Sequence, residues 1–366
     1  MAVKIISIIG IGLIGGSLAK AFRQENKNLK IYAVDSCATS LKLAEVEGVI
    51  DRGFSECCNE VWSSDIIFIC TPIMKTMQFI TQLSGRIRED CIITDVASTK
   101  SEICQYIKTH EKPPIFIGGH PMAGTEKSGY SNAFAHLFEN AYYVLTPTIT
   151  STKYAISTLE SLLNGIGAIP IIVTPEEHDL VTGCISHVPH IIASALVTLA
   201  RNNEKDAGLI KLLAAGGFKD ITRIASSNPG MWENIVLSNS SIIIDLLDDC
   251  KEIVDEMIIN IKSSNNKEIY HFFDNAKSFR DSFSTTSMGL IPKNFELLVD
   301  VTDEPGIIGK IATLLGNNEI NIKNINVSNS REFEQGCLKI TLSDQINTDK
   351  AFEILSDFSY KVFRKD

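Results

Sequence analysis

Three patterns along the sequence predict a protein of the mixed α/β class with more than one domain. Residues 1–172 alternate short apolar runs with helix-like segments, which is typical of parallel strands joined by helices. Residues 173–283 have helical periodicity with almost no strand-like run. Residues 294–366 follow the order strand, helix, strand, strand, helix, strand. We therefore predict an open-sheet domain, an all-helical domain and a small C-terminal α/β domain, with a Ser/Thr-containing linker at 284–293.

The composition is that of a globular protein with substantial cores. Hydrophobic residues make up 44% and charged residues 21% of the 366 positions. The formal net charge is −10, which argues against a nucleic-acid partner and means that an anionic ligand would need a local group of cations. The nine cysteines include no CxxC pair, which favours free thiols in a reducing compartment. We expect a cytoplasmic protein.

Neither a leader nor a membrane segment is expected. A strand-like run begins near Val3 and a glycine motif begins at Gly10, which leaves no room for a cleavable signal. Uninterrupted runs of about 20 apolar residues do not occur in the sequence, so we predict no membrane span.

The first apolar run leads into a glycine motif and then into a helix pattern. The motif GxGxxG comprises Gly10, Ile11, Gly12, Leu13, Ile14 and Gly15. In this context it predicts a Rossmann-type loop, whose backbone approaches a pyrophosphate at the helix N-terminus. Asp35 ends the next strand and would accept hydrogen bonds from a ribose 2′-hydroxyl, so NAD is favoured over NADP. FAD on the same turn, or a glycine turn without a ligand, are the alternatives.

Three later apolar runs end in residues suited to a reaction centre. The first ends at Thr71 and Pro72, the second leads to Ser98, and the third leads to His120. In a doubly wound sheet, ligands bind beyond the carboxyl ends of the strands, so these residues should share one crevice. His120 could accept a proton near neutral pH, and Ser98 could hydrogen-bond the same substrate hydroxyl. A purely structural loop histidine is the alternative.

The loop around this histidine reads GGHPMAGTEKSG. The glycine pair and Pro121 stiffen the chain where it leaves the predicted strand. Thr125 and Glu126 follow closely, and we expect them to line or gate the same pocket.

The helical region carries further polar candidates. His187 and His190 are three residues apart and would share a helix face, with His178 nearby. Substrate contact, a structural role and a zinc site are the three interpretations, but the spacing matches no standard zinc motif and we predict no metal. Gly216 and Gly217 are expected just before a helix, where they would let a ligand approach.

Arg223 follows seven residues after Gly216 and offers a planar guanidinium suited to a carboxylate. A solvent-exposed charge with no ligand is the alternative for Arg223.

Taken together, these motifs resemble the prephenate dehydrogenase family. The resemblance runs over roughly residues 1–280 through GIGLIGGS, DVAST, GGHPMAGTEKSG, HDLVTGCISHVPH, GGFKDITRIA and NPGMWENI. One departure is Ala97, where relatives often carry Gly. Residues 294–366, with the run DEPGIIGKIA, resemble an ACT domain of the ferredoxin-like βαββαβ plan.

The resemblance implies an activity and residue roles. Such enzymes convert prephenate and NAD to 4-hydroxyphenylpyruvate, carbon dioxide and NADH in tyrosine biosynthesis. His120 would be the catalytic acceptor at the ring hydroxyl, and Ser98 would hydrogen-bond the same hydroxyl and the nicotinamide region of the cofactor. Arg223 would bind a substrate carboxylate. His190 would contact the substrate, with His187 and Trp232 supporting the pocket.

The resemblance also implies regulation and leaves rival activities open. The turn with Asp303, Pro305 and Gly306 would border an effector site, for which L-tyrosine is the natural candidate, although an ACT domain that only dimerises is the alternative. Long apolar helices suggest a homodimer. Arogenate dehydrogenase is the nearest rival activity, and a hydroxyacid dehydrogenase or a non-catalytic amino-acid sensor are more distant rivals.

Overall fold

The computed structural model describes residues 3–125, 127–205, 208–283, 295–302, 304–328 and 337–365. The chain forms two compact units, Met1–Asn275 and Ala276–Asp366. The first unit contains the open sheet and most of the helical region, and the second contains the small C-terminal sheet.

The open sheet is built from short strands that are buried on both faces. Its strands are β1 (Ile5–Ile9), β2 (Lys30–Val34), β3 (Arg52–Phe54), β4 (Ile66–Ile69), β5 (Ile92–Asp95), β6 (Ile115–Pro121), β7 (Tyr142–Pro147) and β8 (Ile169–Ile172). The connecting helices are α1 (Leu13–Glu25), α2 (Ala38–Val46), α3 (Asn59–Trp62), α4 (Ile73–Leu83), α5 (Ser101–Thr109) and α6 (Lys153–Gly165). Apolar clusters cover both faces of the sheet, because continuous Ile-rich strands expose apolar side chains in both directions.

The order of the strands creates a crevice at the carboxyl ends of β1 and β4. Among the described residues the order is β3-β2-β1-β4-β5-β6-β7-β8. Strand β1 pairs in parallel with both β2 and β4, so the direction in which the chain winds reverses between β1 and β4. Ligands of doubly wound sheets bind beyond the carboxyl ends of the strands at this point. The predicted Rossmann-type fold is confirmed.

One strand departs from the parallel arrangement that the sequence predicts. Strand β7 pairs antiparallel with β6, with His120 opposite Val144. In the described part of the connection between them, the regular elements are short 3-10 turns, Tyr130–Asn132 and Ala135–Phe138, and no crossover helix is present. A parallel pair needs a long crossover, whereas this connection only has to reverse the chain direction.

The helical region follows β8. It comprises α7 (Pro175–Thr182), a π-helical turn (Gly183–His187), α8 (Val188–Asn203), α9 (Leu209–Leu213), α10 (Gly216–Thr222), a 3-10 turn (Arg223–Ser226), α11 (Pro229–Ser238), α12 (Ser240–Lys262) and α13 (Asn266–Ser282). Thr174 begins α7 with a capping box completed by Glu177, which explains the sharp change from strand to helix.

Within the described residues, the continuous stretch Pro175–Asn203 is the one helical segment long and apolar enough to cross a membrane by length and composition, with a mean hydropathy of 1.6. Polar residues interrupt this stretch, so it is not an uninterrupted apolar run. It contains His178, Asp179 and His187, which are buried inside the protein. Core helices of water-soluble proteins meet the same criterion, so the stretch alone is weak support for a membrane span.

The second unit contains the predicted ferredoxin-like fold. Its elements are β9 (Phe295–Asp300), α14 (Ile307–Asn317), β10 (Ile322–Ser328), β11 (Cys337–Leu342), α15 (Gln345–Asp357) and β12 (Lys361–Lys365). In the described part of this unit, the strand order is β10-β11-β9-β12 and the pairs are antiparallel. Both helices pack their apolar faces on the sheet. The predicted linker 284–293 lies outside the described residues.

Candidate active site

The glycine loop between β1 and α1 has the geometry of a dinucleotide-binding turn. Gly10 has φ +93°, and a Cβ there would lie 2.4 Å from the Cys70 carbonyl oxygen. A Cβ at Gly15 would lie 2.0 Å from the Gly10 carbonyl oxygen, so these two positions require glycine for tight packing. A Cβ at Gly12, in contrast, would meet nothing within 4 Å. The open space at Gly12 and the N-terminus of α1 fit the pyrophosphate of a dinucleotide.

Asp35 follows β2 and contacts the same loop. Its Oδ2 accepts a hydrogen bond from the Ile11 amide at 2.7 Å, and its Oδ1 accepts one from the Cys37 amide at 2.8 Å. Each carboxylate oxygen has capacity for a further hydrogen bond, so Asp35 can fix the loop and still accept from a ribose hydroxyl. The sequence predicted the ribose contact, which stays a prediction, and did not predict the contact with the Ile11 amide.

Thr71 and Pro72 lie on the other side of the switch point. The Thr71 Cγ2 would be 3.1 Å from a Cβ on Gly10, so this residue borders the glycine loop directly. Pro72 is the N-cap of α4, and the hydroxyls of Thr71 and Thr76 are 3.2 Å apart. The predicted grouping of these residues with the glycine loop is therefore present in the structure.

His120 lies near the end of β6 and contacts a second histidine from the helical region. Its Nδ1 is 2.8 Å from Nε2 of His178. The His178 Nδ1 is in turn 2.7 Å from Oδ1 of Asp179. Asp179 also accepts hydrogen bonds from the amides of Lys100 (2.7 Å) and Ser101 (2.8 Å), at the start of α5. His120 is thus joined to the helical region and to α5 through one hydrogen-bonded chain.

The surroundings of His120 favour its neutral form. Burial is the main cause that lowers its pKa well below the usual value, and the positive charge of Lys100, with those of His178 and His187 whenever these are protonated, acts in the same direction. A neutral imidazole has one nitrogen that can accept a proton or a hydrogen bond. His120 is therefore suited to act as an acceptor at neutral pH.

A buried ion pair lies behind this histidine. Asp95 and Lys100 pair through side chains that are fully buried. The Asp95 carboxylate also accepts the amides of Gly119 at 3.0 Å and Ala97 at 2.9 Å. These bonds fix the backbone immediately before His120 and the start of the turn that carries Ser98. A buried charge that is paired and fully hydrogen-bonded avoids the large cost of an isolated one.

The π-helical turn and the start of α8 carry the other two histidines. His187 is buried, and its Nδ1 is 3.1 Å from Nδ2 of Asn239. Burial lowers the pKa of His187 to about 4, although the charge of Asp179 opposes this shift. His190 lies closer to solvent, and its Nδ1 is 2.9 Å from the Ser186 carbonyl oxygen. Trp232 contacts both imidazoles through its indole ring.

Arg223 begins the 3-10 turn that follows α10, and its side chain is exposed. Burial is the main cause that lowers the pKa of His190, and the positive charge of Arg223 acts in the same direction. Arg223 and His190 are therefore close enough for their charges to interact.

The glycine pair Gly216 and Gly217 forms the first turn of α10 rather than a loop before it, which corrects the sequence-based placement. A Cβ on either glycine would meet nothing within 4 Å. Steric crowding therefore does not explain why glycine occupies these two positions.

The loop after His120 is fixed at its far end to α1 and α2. The Tyr130 hydroxyl donates to Glu47 at 2.7 Å, and Lys20 lies 3.3 Å from the same carboxylate. A Cβ on Gly16 would lie 2.8 Å from the Tyr130 ring. Thr125 is exposed and accepts from the Lys127 amide at 3.3 Å, while Glu126 lies outside the described residues. No contact between Thr125 and the other candidate residues is among the described hydrogen bonds.

The structure describes Pro305 and Gly306 of the turn in the C-terminal unit for which the sequence predicts an effector site. Gly306 has φ +90° and is the N-cap of α14, which explains glycine at this position. Pro305 precedes it in the turn, and Asp303 lies outside the described residues.

Several members of the site were not assigned a role by sequence reasoning. They are Asp95, Lys100, Asp179 and Asn239, while His178 was noted only as one of three histidines. The adjacent pair His178-Asp179 at the start of a helix was the available signal, because a carboxylate beside a histidine commonly orients its ring. Among the described residues, no cluster of three or more His, Cys, Asp or Glu residues is arranged to hold a metal ion.

This fold and site define a class of protein: dinucleotide-dependent oxidoreductases in which helices pack against the substrate side of a Rossmann-type sheet. Family models agree with this class. Residues 18–172 match the prephenate dehydrogenase nucleotide-binding domain, residues 174–275 match the prephenate dehydrogenase dimerization domain, and residues 295–340 match the ACT domain.

The chain is 36% identical to prephenate dehydrogenase of Bacillus subtilis, over 99% of this chain and 98% of the relative. A solved structure of prephenate dehydrogenase from Aquifex aeolicus, in complex with hydroxyphenyl propionate and NAD+, matches with a TM-score of 0.72 at 30% identity, over 77% of this chain and 99% of that one. Arogenate dehydrogenase of Synechocystis matches with a TM-score of 0.68 at 30% identity, over 76% and 99% of the two chains.

The chain belongs to the prephenate dehydrogenase family and is an NAD-dependent oxidoreductase. The resemblance inferred from the sequence motifs is confirmed.

Proposed function

We propose that this chain catalyses the oxidative decarboxylation of prephenate with NAD, giving 4-hydroxyphenylpyruvate, carbon dioxide and NADH. The observation that carries the proposal is the position of His120. It lies near the carboxyl end of β6, at the same edge of the sheet as the glycine loop, and burial and the nearby ammonium of Lys100 favour its neutral form. A neutral imidazole is what the ring hydroxyl of prephenate needs as its acceptor.

The proposed roles of the residues follow from this placement. His120 accepts the hydrogen of the ring hydroxyl, and Ser98 donates a second hydrogen bond in the same region. NAD, when bound, accepts the hydride. Loss of the ring carboxylate creates an aromatic ring, so the protein has only to orient the substrate and polarise its hydroxyl. Arg223 and His190 lie on the helical side, where a guanidinium and an imidazole suit the carboxylates of a dianion.

The cofactor residues are proposed from the same geometry. Gly10, Ile11, Gly12, Leu13, Ile14 and Gly15 receive the pyrophosphate, and Asp35 binds the adenosine ribose. Thr71 and Pro72 border the dinucleotide on the other side of the switch point. His187, Trp232, Gly216, Gly217, Thr125 and Glu126 remain proposed contributors to the substrate pocket.

Arogenate, in which an amino group replaces the side-chain keto group, is the second candidate substrate. Its support is the match to the Synechocystis arogenate dehydrogenase. Steady-state NADH formation from both compounds tests the proposal. We expect a higher kcat/KM for prephenate; a higher value for arogenate would reverse the assignment, and no NADH from either would overturn both.

We also propose a domain organisation and an assembly. The domains are residues 1–172, 173–283 and 294–366, joined by the linker 284–293. A homodimer is supported by the apolar side chains that α9, α12 and α13 expose, including Leu212 at 75% and Phe279 at 68%. All nine cysteines lie in the described ranges and are free, which supports a cytoplasmic location.

Feedback by L-tyrosine through the C-terminal domain is the regulatory part of the proposal. The glycine-containing turn with Pro305 and Gly306 would border the effector. The measurement is the rate of NADH formation from prephenate with and without tyrosine, compared with a variant truncated after Ser282. Equal inhibition of both forms would show that the C-terminal domain is not the tyrosine site.

A further inference from the structure

The hydrogen-bonded chain His120–His178–Asp179 constrains where the protons lie. Burial acts to raise the pKa of Asp179, but hydrogen bonds from His178, Ser101 and Lys100 lower it below the usual value, so the group is a carboxylate. A carboxylate only accepts, and therefore the Nδ1 of His178, 2.7 Å away, carries a proton. In a neutral His178 the Nε2 is then an acceptor.

The tautomer of His178 determines the tautomer of the His120 ring. The Nε2 of His178 is 2.8 Å from Nδ1 of His120, so the proton between them belongs to His120 Nδ1. The remaining ring nitrogen of His120, Nε2, is left with its lone pair. Asp179 thus acts through two imidazoles to keep His120 in the tautomer that can accept a proton from a substrate.

The chain ends inside the protein. Asp179 is fully buried, and His178 is 2% exposed. The partners of the Asp179 carboxylate are His178, the amides of Lys100 and Ser101, and the Ser101 hydroxyl, which also lies 3.3 Å from the Pro175 carbonyl oxygen. Charged or titratable groups nearby include Lys100, whose ammonium pairs with Asp95, His187, which pairs with Asn239, and the thiol of Cys104. Among the described residues, Asp179 is the last ionisable group in the hydrogen-bonded chain that begins at His120.

The proposed reaction needs no proton path to solvent. A prephenate dianion and oxidised NAD become a hydroxyphenylpyruvate anion, neutral carbon dioxide and NADH, so the net charge is −1 on both sides and no proton is released. The hydroxyl proton that leaves as the carbon is oxidised must return to the phenolic oxygen after the carbon–carbon bond electrons have entered the ring. It needs a temporary acceptor, not a path to solvent.

We propose that His178 is a positioning residue that fixes the tautomer of His120 and holds the positive charge of the substrate proton during turnover. In the forward step His120 Nε2 takes the hydroxyl proton, and the Nδ1 proton of His120 moves to His178 Nε2. The resulting imidazolium is paired with the Asp179 carboxylate. Both protons then move back as the phenol forms. The inference rests on the proposed function for its substrate, but its tautomer can be measured without one.

The contacts of Asp179 with Lys100 and Ser101 also join α7 to α5, so a purely structural role must be distinguished. His178→Gln does this, since a Gln amide oxygen can still accept from His120 Nδ1 but cannot take up a proton. Glu176→Gln is the matched control, because Glu176 is exposed on the same helix. Thermal melts of both variants check that they fold.

The first measurement is the ¹⁵N NMR spectrum of histidine-labelled protein without substrate, with His120→Asn and His178→Gln used for assignment. We expect a protonated Nδ1 and an unprotonated Nε2 on His120. The opposite tautomer would overturn the proposal whatever the substrate is. The NMR test of the His120 tautomer is valid even if the chain makes no NADH from prephenate or arogenate. That result would refute only the proposed function.

The second measurement is the single-turnover rate of NADH formation from prephenate in mixtures of light and heavy water. We expect a curved dependence on deuterium content for the wild type and for Glu176→Gln, since two protons move together. His178→Gln should be slower by about tenfold or more, a fraction of what acid–base groups contribute, and its dependence should be linear. A wild-type rate for His178→Gln, or a slower rate with unchanged curvature, would overturn the proton-holding role.

Discussion

The imidazole of His190 stacks on the indole of Trp232, with ring centroids 3.7 Å apart and ring planes inclined by 27°. The indole also contacts the edge of His187, with centroids 6.1 Å apart. Trp232 therefore holds the two histidines of the helical region at once. Among the described residues its buried Nε1 has no hydrogen-bond partner, so its contribution comes from the ring and not from the N–H group.

This contact predicts different outcomes for two substitutions. Trp232→Phe keeps an aromatic face for His190 and should leave the KM for prephenate near the wild-type value. Trp232→Leu removes the stack and should raise KM by about 2- to 10-fold, which corresponds to the usual worth of an aromatic pair. Trp62→Phe is the control, because that buried indole N–H is likewise unpartnered but lies in the sheet domain. Equal KM values for Phe and Leu at position 232 would refute the role of the stack.

His120→Asn tests the acceptor itself. Asn can occupy a similar space but cannot take up a proton, so we expect kcat to fall by about 10²–10⁴-fold, the usual range for acid–base groups. Affinity for NAD, measured by titration calorimetry, should change little because the glycine loop is untouched. Near-normal turnover would remove His120 from the mechanism.

Arg223 predicts a graded series. Arg223→Ala should raise the KM for prephenate by about tenfold or more, since a charge-assisted hydrogen bond to a carboxylate contributes about 1.5–3 kcal/mol. Arg223→Lys should lie between, because an ammonium keeps the charge but not the planar fork. Arg201→Ala, an exposed position at the end of α8, is the control and should match the wild type. A KM within twofold of wild type for Arg223→Ala would argue against a carboxylate contact.

The carboxylate of Asp35 is expected to determine the preference for NAD over NADP. In Asp35→Asn the amide oxygen can still accept from the Ile11 amide, so this contact with the glycine loop is kept, whereas the hydrogen bond from the Cys37 amide is lost. The negative charge that repels a 2′-phosphate is lost, and the ratio of kcat/KM for NADP to that for NAD should rise by about tenfold, or 1.4 kcal/mol. Glu56→Gln removes an exposed charge from the same domain and serves as the control. An unchanged ratio in Asp35→Asn would mean that another residue selects the cofactor.

The buried histidines predict a loss of stability in mild acid. Burial lowers the pKa of His187 to about 4, whereas the unfolded chain binds a proton on this residue near the ordinary value of about 6.5. Below that value the unfolded state binds more protons, so Tm should fall as pH decreases from about 6.5 towards 4. His187→Gln should make this part of the Tm profile flatter. The exposed His271→Gln should leave it unchanged, and identical slopes in all three proteins would contradict the assignment.

Local sequence patterns carried much of the fold and part of the site. Residues close together along the chain determine the glycine loop, the strand ends and the helical region. These local patterns predicted the correct fold class. The antiparallel direction of β7 was not predicted, because the apolar pattern of a strand is the same for both directions. The direction depends on the length and secondary structure of the connection that precedes the strand.

The partner of His120 could not be read from local pattern. His178 lies 58 residues further along the chain, and only the packing of α7 against the sheet domain brings the two rings together. The same holds for Asp179, whose carboxylate reaches back to the start of α5. The sequence predicts which types of side chain lie in the candidate site, whereas the pairing of those side chains depends on the tertiary fold.

The close approach of Gly16 to Tyr130 has a consequence for redesign. A Cβ at position 16 would lie 2.8 Å from the Tyr130 ring and 2.8 Å from the Ala133 Cβ, so this glycine is matched in size to both neighbours. A larger side chain at position 16 therefore requires changes at positions 130 and 133 together, and the three should be varied jointly in any library. Transplanting the corresponding loop of another dehydrogenase onto this scaffold therefore also means transplanting the residue that faces it on α1.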